Sequence, residues 1–230
     1  MQQNRATGGG LSLRAVIFDY GMVLTGPPAP EAWAALRRIT GLSEEELHSA
    51  YWSFRHEYDE GKLTGIQFWK RLAREAGLHV TEVELYALND WDARMWTTEN
   101  CAMLSWQEEV KQRGLRTAIL SNMGDNVHAR MQRVFPWLGR FDVRVWSYLL
   151  GVAKPDPSIY RHTLKELGVR PEEAFFIDDK RPNIEAAQNL GIRTHLFTNA
   201  EHLREDLLAL GLDSELPLPA INTIRNAGLR

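Results

Sequence analysis

Residues 13–21 read LRAVIFDYG, a short apolar run rich in branched side chains that ends abruptly at Asp19. A run of this kind is typical of a strand buried on both faces, as strands are in parallel sheets. A second such run, AFFIDD at residues 174–179, ends at the adjacent acids Asp178 and Asp179. Together the two runs predict a parallel sheet with carboxylates along one edge.

The rest of the chain alternates between strand-like and helix-like segments. We predict further strands at residues 116–120, 141–146 and 194–197, with helices among them that include residues 157–167 and 181–190. Strands that alternate with helices form βαβ units. The sequence therefore predicts an α/β fold whose core is a Rossmann-like, doubly wound parallel sheet.

A helical insertion interrupts this alternation after the first strand. Apolar residues recur there at helical spacing, and Ser43 and Thr64 each precede an acid or amide by three residues, which is typical of a capped helix start. Trp33, Trp52 and Trp69 are predicted to form the core of this insertion. The predicted organisation is a loose tail at residues 1–10, a core at 11–25 and 106–212, a helical cap at 26–105, and a C-terminal tail at 213–230.

The composition narrows the classes of protein that the chain could represent. Of 230 residues, 44% are hydrophobic and 25% are charged, and the formal charge of −3 offers no basic excess for a nucleic-acid partner. No apolar run reaches the roughly 18 residues of a membrane span. The single cysteine, Cys101, excludes an internal disulfide, and the polar start has no signal-peptide character. We therefore expect a cytoplasmic globular protein without a membrane or nucleic-acid partner; the sequence does not indicate its oligomeric state.

Polar residues follow three of the predicted strands. They are Asp19, the pair Ser121-Asn122, and the pair Asp178-Asp179, while Lys154 lies in a loop before the helix at 157–167. The carboxyl ends of parallel strands meet at one edge of the sheet, where ligands bind. Clustered carboxylates need a nearby cation, and oxygen ligands together with a phosphate favour Mg²⁺. The arrangement predicts a site where a metal ion and a phosphoryl group are bound together.

Four short stretches resemble, in order, the four motifs of the haloacid dehalogenase superfamily. They are FDYGMVL at residues 18–24, LSN at 120–122, KP at 154–155 and FIDD at 176–179. The helical insertion between the first and second resembles the first cap class of that superfamily. The stretches FIDDKRPNI at 176–184 and EGKLTGIQFW at 60–69 resemble the branch that contains glucose-1-phosphate phosphatases, with the phosphatase domain of bifunctional epoxide hydrolases as a relative.

The resemblance implies a role for each strand-end residue. Asp19 would be the nucleophile. Mg²⁺ would be held by Asp19, by the backbone carbonyl of Gly21 and by Asp179, and Asp178 would either be a further ligand or support the ligands without contacting the metal. Ser121, Asn122 and Lys154 would bind the phosphoryl group, and Lys154 would also stabilise the charge that develops on it. The substrate implied is a small phosphorylated metabolite.

Gly21 departs from the pattern of the superfamily. Most of its phosphatases carry a second aspartate at this position, which protonates the leaving group and then activates water; such acid–base help is worth about 10²–10⁴-fold. We therefore expect a preference for phosphates with acidic leaving groups, such as anomeric sugar phosphates. Two alternatives remain: a 2-haloacid dehalogenase, whose first motif also lacks the second acid, and a catalytically degenerate phosphate-binding protein.

Overall fold

The computed structural model describes residues 12–220, so the predicted tail at residues 1–10 and the last ten residues lie outside the described part of the chain. Five parallel strands form one sheet in the order β3-β2-β1-β4-β5. They are β1 (Ala15–Phe18), β2 (Arg116–Ser121), β3 (Val143–Trp146), β4 (Ala174–Asp178) and β5 (Arg193–Leu196). The prediction of an α/β fold with a parallel, doubly wound sheet is confirmed.

The strand register brings the polar strand ends together. Phe18 at the end of the central strand β1 is level with Ile119 on β2 and with Ile177 on β4. The next residue, Asp19, donates its backbone N–H to the carbonyl of Ile177 at 2.9 Å. As a result Asp19, Ser121 and Asp178 lie at neighbouring positions along the carboxyl edge of the sheet.

Five of the helices between β1 and β2 form a group of their own. They are α1 (Pro30–Thr40), α2 (Glu44–Ser53), α3 (Arg55–Asp59), α4 (Gly65–Glu75) and α5 (Glu82–Met95). Ser43 and Thr64 start α2 and α4 with reciprocal hydrogen bonds to Glu46 and Gln67, which confirms both predicted helix starts. These helices share an apolar core that includes Tyr51, Phe68 and Trp69, and we call them the cap.

Helices cover both faces of the sheet. They are α6 (Cys101–Gln112), α7 (Asp125–Val134), α8 (Ser147–Leu150), α9 (Pro157–Leu167), α10 (Arg181–Gln188) and α11 (Ala200–Ala209). One face of the sheet packs against α6, α7 and α11, and the other packs against α9 and α10. None of the helices in residues 12–220 has the length and apolarity needed to cross a membrane.

Two adjacent chain crossings connect the cap with the sheet. Thr25 forms an antiparallel bridge with Glu99, and the N–H of Gly26 donates to the carbonyl of Thr98 at 2.7 Å. Asn100 caps α6 with its side-chain oxygen and donates its amide to the carbonyl of Val23 at 2.9 Å. The helix α6 starts at Cys101 and packs on the sheet. The second segment of the core therefore begins before residue 106, where the sequence predicted its start.

The end of the chain also packs on the core. Leu216, in the segment predicted as a C-terminal tail, is fully buried in the cluster on the α6 face of the sheet. The carbonyl of Pro217 accepts a hydrogen bond from the indole of Trp106 at 2.6 Å. Within residues 213–220, the chain therefore contributes to the fold.

The cap is docked against the core by close contacts. The Gly65 N–H donates to the Asp125 carboxylate at 2.9 Å, and the Ser147 hydroxyl donates to the carbonyl of Asp59. The ring of Tyr58 lies against Gly124, where a Cβ would come within 2.0 Å of it. Gly124 has a φ of −88°, which any residue can adopt, so space rather than conformation requires glycine there.

We expect Gly124→Ala to weaken the docking of the cap. The added methyl group must displace the Tyr58 ring, and overpacking of this kind costs about 1–3 kcal/mol. The measurement is the free energy of unfolding in urea. The matched control is Gly139→Ala, because a Cβ at Gly139 meets nothing within 4 Å and its φ is not positive. Equal stabilities for the two variants would contradict a tightly docked cap.

Candidate active site

Asp19 is held at the start of a tight turn. Its carboxylate accepts a hydrogen bond from the Tyr20 N–H at 2.7 Å, and the turn closes where the Thr25 N–H donates to the carbonyl of Tyr20 at 2.9 Å. Met22 within this turn has a φ of 63°, the left-handed region that side chains rarely adopt. Strained backbone conformations of this kind cluster at functional sites, and here the strained turn forms the wall beside Asp19.

Lys154 connects the ends of three strands. Its ammonium lies 2.8 Å from the Asp19 carboxylate, 2.6 Å from the Asp178 carboxylate and 2.9 Å from the carbonyl of Leu120. Two of the three N–H donors of this ammonium are hydrogen-bonded to Leu120 and Asp178, and its contact with Asp19 is an ion pair. The Lys154 side chain is 1% exposed, so the surrounding protein atoms hold it in one position.

Burial and charge act against each other in this cluster. Burial raises the pKa of Asp19 to about 7, although the nearby Lys154 ammonium lowers it. Burial alone would lower the pKa of Lys154, but the carboxylates of Asp178 and Asp19 outweigh that effect and raise it. The lysine therefore stays protonated at neutral pH, and Asp19 depends on nearby positive charge to remain a carboxylate.

The adjacent acids Asp178 and Asp179 differ in their surroundings. The Asp178 carboxylate is fully buried and accepts hydrogen bonds from Lys154, from the Lys180 N–H at 2.8 Å and from the Asn183 amide at 2.9 and 3.0 Å. Asp179 is half-buried and faces the cavity, and no other side chain in residues 12–220 donates a hydrogen bond to its carboxylate. Burial and the charge of Asp178 raise the pKa of Asp179. Asp178 thus positions Lys154, while Asp179 is the carboxylate left open to a ligand.

Ser121 and Asn122 occupy the end of β2. Ser121 is buried and faces the same cavity as Asp19. Asn122 makes a reciprocal pair with the backbone of Lys154: its amide donates to the Lys154 carbonyl at 2.8 Å, and its side-chain oxygen accepts from the Lys154 N–H at 2.8 Å. The Asn122 side chain therefore positions the lysine, and its predicted contact with a phosphoryl group stays a prediction.

The space beside Gly21 is bounded by the cap. A Cβ at Gly21 would lie 3.7 Å from the indole ring of Trp96, which is ordinary van der Waals contact. Gly21 itself has φ −65° and ψ 138°, a conformation open to any residue. The backbone would therefore accept an aspartate here, but its carboxyl group would share the space with Trp96.

All the predicted site residues line one cavity of about 270 Å³, whose walls come from the core and the cap. The cavity is lined by Asp19, Tyr20, Gly21, Met22, Pro28, Trp52, Arg55, Asp59, Trp96, Ser121, Asn122, Met123, Val127, Lys154, Asp179, Lys180 and Asn183. Asp178 lies directly behind this wall, in contact with Lys154. The side of the cavity formed by the strand ends is polar, whereas the opposite side combines the indole rings of Trp52 and Trp96 with the charged pair Arg55 and Asp59.

The sequence did not identify the cap residues that line the cavity. Trp52 was predicted as cap core, but it is 41% exposed and lines the cavity, because α2 turns this face towards the core; Trp69 is fully buried as predicted. Asp59 is buried and pairs with Arg55 at 3.0 Å, and burial raises its pKa. The spacing of Arg55 and Asp59, one helical turn apart, was the available signal for this pair.

The acidic cluster has the donors that a divalent cation needs. Asp19, Asp178 and Asp179 each offer an oxygen atom, and these atoms lie within 4.8 Å of one another. The Lys154 ammonium contacts Asp19 and Asp178 but not Asp179, and the Lys180 side chain that also lines the cavity is exposed, so the three carboxylates outnumber the buried positive charge in contact with them. Oxygen donors with this residual charge fit Mg²⁺.

Comparison with known proteins establishes the family. Residues 13–191 match the model of the haloacid dehalogenase-like hydrolases, so the chain belongs to this family of hydrolytic enzymes. It is 31% identical to a phosphatase of Mycobacterium tuberculosis, over 87% of this chain and 96% of that protein. It is also 31% identical to acyl-CoA dehydrogenase family member 10 of Mus musculus, over 94% of this chain; the chain spans only 21% of that protein's length.

The solved structures agree on the fold. The magnesium complex of a haloacid dehalogenase family enzyme from Bacteroides thetaiotaomicron matches with a TM-score of 0.68 and 22% identity, over 84% of this chain and 98% of that one. The likeness extends over both the sheet and the helical insertion, since so little of either chain is left uncovered.

We expect Lys154→Met to destabilise the protein by about 3–5 kcal/mol, because Asp19 and Asp178 would lose their buried counter-charge. Asp179→Asn should leave the free energy of unfolding unchanged or raise it, since the fold already disfavours that charge. Both variants are measured by urea unfolding in metal-free buffer. The control is the exposed Lys165→Met on α9, and a Lys154→Met variant as stable as this control would disprove the structural role of the ammonium.

Proposed function

We propose that this protein is a Mg²⁺-dependent phosphatase of small phosphomonoesters that acts through an aspartyl-phosphate on Asp19. The observation that carries the proposal is the Lys154 ammonium within 3 Å of Asp19 in a cavity that Asp179 also faces. A nucleophile, a fixed cation and a free carboxylate are the groups that phosphoryl transfer requires at one point. The similarity to a mycobacterial phosphatase over nearly its whole length supports the same reading.

Asp19, Asp179 and the backbone carbonyl of Gly21 would hold the magnesium ion. When bound, the ion neutralises charge on the phosphate oxygens and keeps Asp19 ionised. Asp178 is committed to Lys154, Lys180 and Asn183, so we assign it a supporting role rather than a direct one.

The reaction proceeds in two displacements at phosphorus. A carboxylate oxygen of Asp19 attacks, the bond to the ester oxygen breaks, and the leaving alcohol takes up a proton. Water then attacks the phosphorus of the aspartyl-phosphate, which releases inorganic phosphate and restores the carboxylate. Throughout, Lys154 offsets charge on the transferring group, and Ser121 is positioned to donate a hydrogen bond to it.

Gly21 shapes the choice of substrate within this scheme. Because no acid stands at this position, the leaving alcohol must depart with little proton donation, and acidic alcohols do so most readily. Trp52 is 41% exposed and lines the cavity, with the Lys180 ammonium 5.5 Å from the centroid of its ring, and Arg55 and Asp59 offer polar contacts beside it; an aromatic ring among polar groups suits a sugar. We therefore propose sugar phosphates, with a preference for the anomeric position.

We expect Mg²⁺-dependent hydrolysis of p-nitrophenyl phosphate and glucose 1-phosphate, measured as phosphate release. Asp19→Asn should abolish it, because the amide cannot form the aspartyl-phosphate, and chelation by EDTA should do the same reversibly. Glucose 6-phosphate should be hydrolysed more slowly than glucose 1-phosphate. Asp213→Asn, on the far side of the core, is the matched control and should retain full activity.

Other outcomes would identify the alternative functions. Chloride release from 2-chloropropionate that survives EDTA would show a dehalogenase, with Asp19 attacking carbon. Phosphate binding in calorimetry without turnover of any ester would show a binding protein. Either result would overturn the phosphatase proposal.

We expect Gly21→Asp to reduce the dependence on the leaving group. The backbone accepts the residue, and an aspartate there supplies the missing proton donor. The ratio of kcat/KM for glycerol phosphate to that for p-nitrophenyl phosphate should rise, by up to about 10²-fold. Gly21→Asn, of equal size but without an acidic proton, is the control. Equal ratios in the two variants would contradict the role given to this position.

A further inference from the structure

A second cluster of metal-binding side chains lies outside the cavity. It consists of His195 on the edge strand β5 and of His202 and Asp206 on α11. His202 and Asp206 are four residues apart, so they lie on the same face of the helix. One potential ligand atom from each of the three lies within 4.8 Å of the other two.

The Asp206 carboxylate lies between the two imidazoles. One of its oxygens is 2.9 Å from His195 Nδ1, and the other is 3.8 Å from His202 Nε2. The centroids of the two rings are 5.2 Å apart. The three side chains therefore converge on one point between β5 and α11.

Burial differs across the cluster in a way that suits ion binding. The side chain of His195 is 1% exposed and is fixed by its surroundings, whereas those of His202 and Asp206 are 44% and 43% exposed. An ion can therefore reach the cluster from solvent, and two of the side chains are free to rotate. Tetrahedral zinc ligands lie about 3.4 Å apart, so small rotations of the exposed pair would complete the geometry.

The donor types distinguish this cluster from the acidic one. Two imidazole nitrogens and one carboxylate oxygen are the ligands of zinc and related transition metals, whereas Mg²⁺ prefers oxygen alone.

We propose that His195, His202 and Asp206 bind a divalent transition-metal ion, with Zn²⁺ the best match, and that this ion ties α11 to the edge of the sheet. The remaining coordination position faces solvent and takes water. None of the three residues lines the catalytic cavity. The site is therefore separate from the phosphatase chemistry proposed for Asp19.

The experiment titrates metal-stripped protein with Zn²⁺ in isothermal calorimetry, with excess Mg²⁺ present to occupy the acidic cluster. We expect one equivalent of Zn²⁺ to bind and the melting temperature to rise with zinc concentration, since the ion binds the folded chain. His202→Ala and Asp206→Asn should each remove that equivalent and the rise in melting temperature. Co²⁺ in place of Zn²⁺ should give a visible absorption band in the wild type only.

Two controls locate the ion. His79→Ala removes an exposed histidine of the cap, and Asp179→Asn removes a carboxylate of the acidic cluster; both should keep the zinc equivalent. Zinc binding unchanged in His202→Ala, zinc binding lost in Asp179→Asn, or no zinc equivalent in the wild type would each overturn the proposal. Because His202 and Asp206 are half-exposed, circular dichroism of their variants should match that of the wild type.

Discussion

The rest of the site depends on the contact between one buried ammonium and the carboxylates around it. Lys154 joins the ends of β1, β2 and β4 through Asp19, the carbonyl of Leu120 and Asp178. Burying these charges is costly, and the cost is offset only because each has a close partner. The same contacts that join the strand ends also fix the position of Asp19, the nucleophile of the proposed reaction, so stability and the proposed chemistry share one set of interactions.

A second set of hydrogen bonds holds Lys154 and Asp178 in position. Asn122 fixes the backbone of Lys154, and Asn183 and the Lys180 N–H fix Asp178. These supporting contacts leave Asp179 as the carboxylate that faces the cavity and accepts no hydrogen bond from another side chain in residues 12–220. Preorganisation of this kind means that little rearrangement is needed when charge develops on a phosphoryl group.

Much of the core could be predicted from the sequence because its signals are local. Apolar runs that end in polar residues indicated β1, β2 and β4, and the helix predicted at residues 157–167 is α9 with the same bounds. The exposure of Trp52 and the contact of Trp96 beside Gly21 could not be predicted in this way. Each depends on how the cap docks, which is fixed by contacts between residues far apart in the chain, such as Tyr58 with Gly124.

This difference between core and cap has a functional consequence. The half of the cavity that would bind the phosphoryl group in the proposed reaction is built from strand ends, whose polar groups are fixed by the register of the sheet. The half that would face the leaving group is built from Trp52, Trp96 and the Arg55–Asp59 pair, whose positions in the cavity depend on cap docking. The indole ring of Trp96 lies 3.7 Å from the position of a Cβ at Gly21, so a carboxyl group at this position would share the space beside the ring. In the proposed phosphatase, the choice of substrate would therefore depend on the interface between cap and core, and a change in cap packing would alter selectivity without touching Asp19 or Lys154.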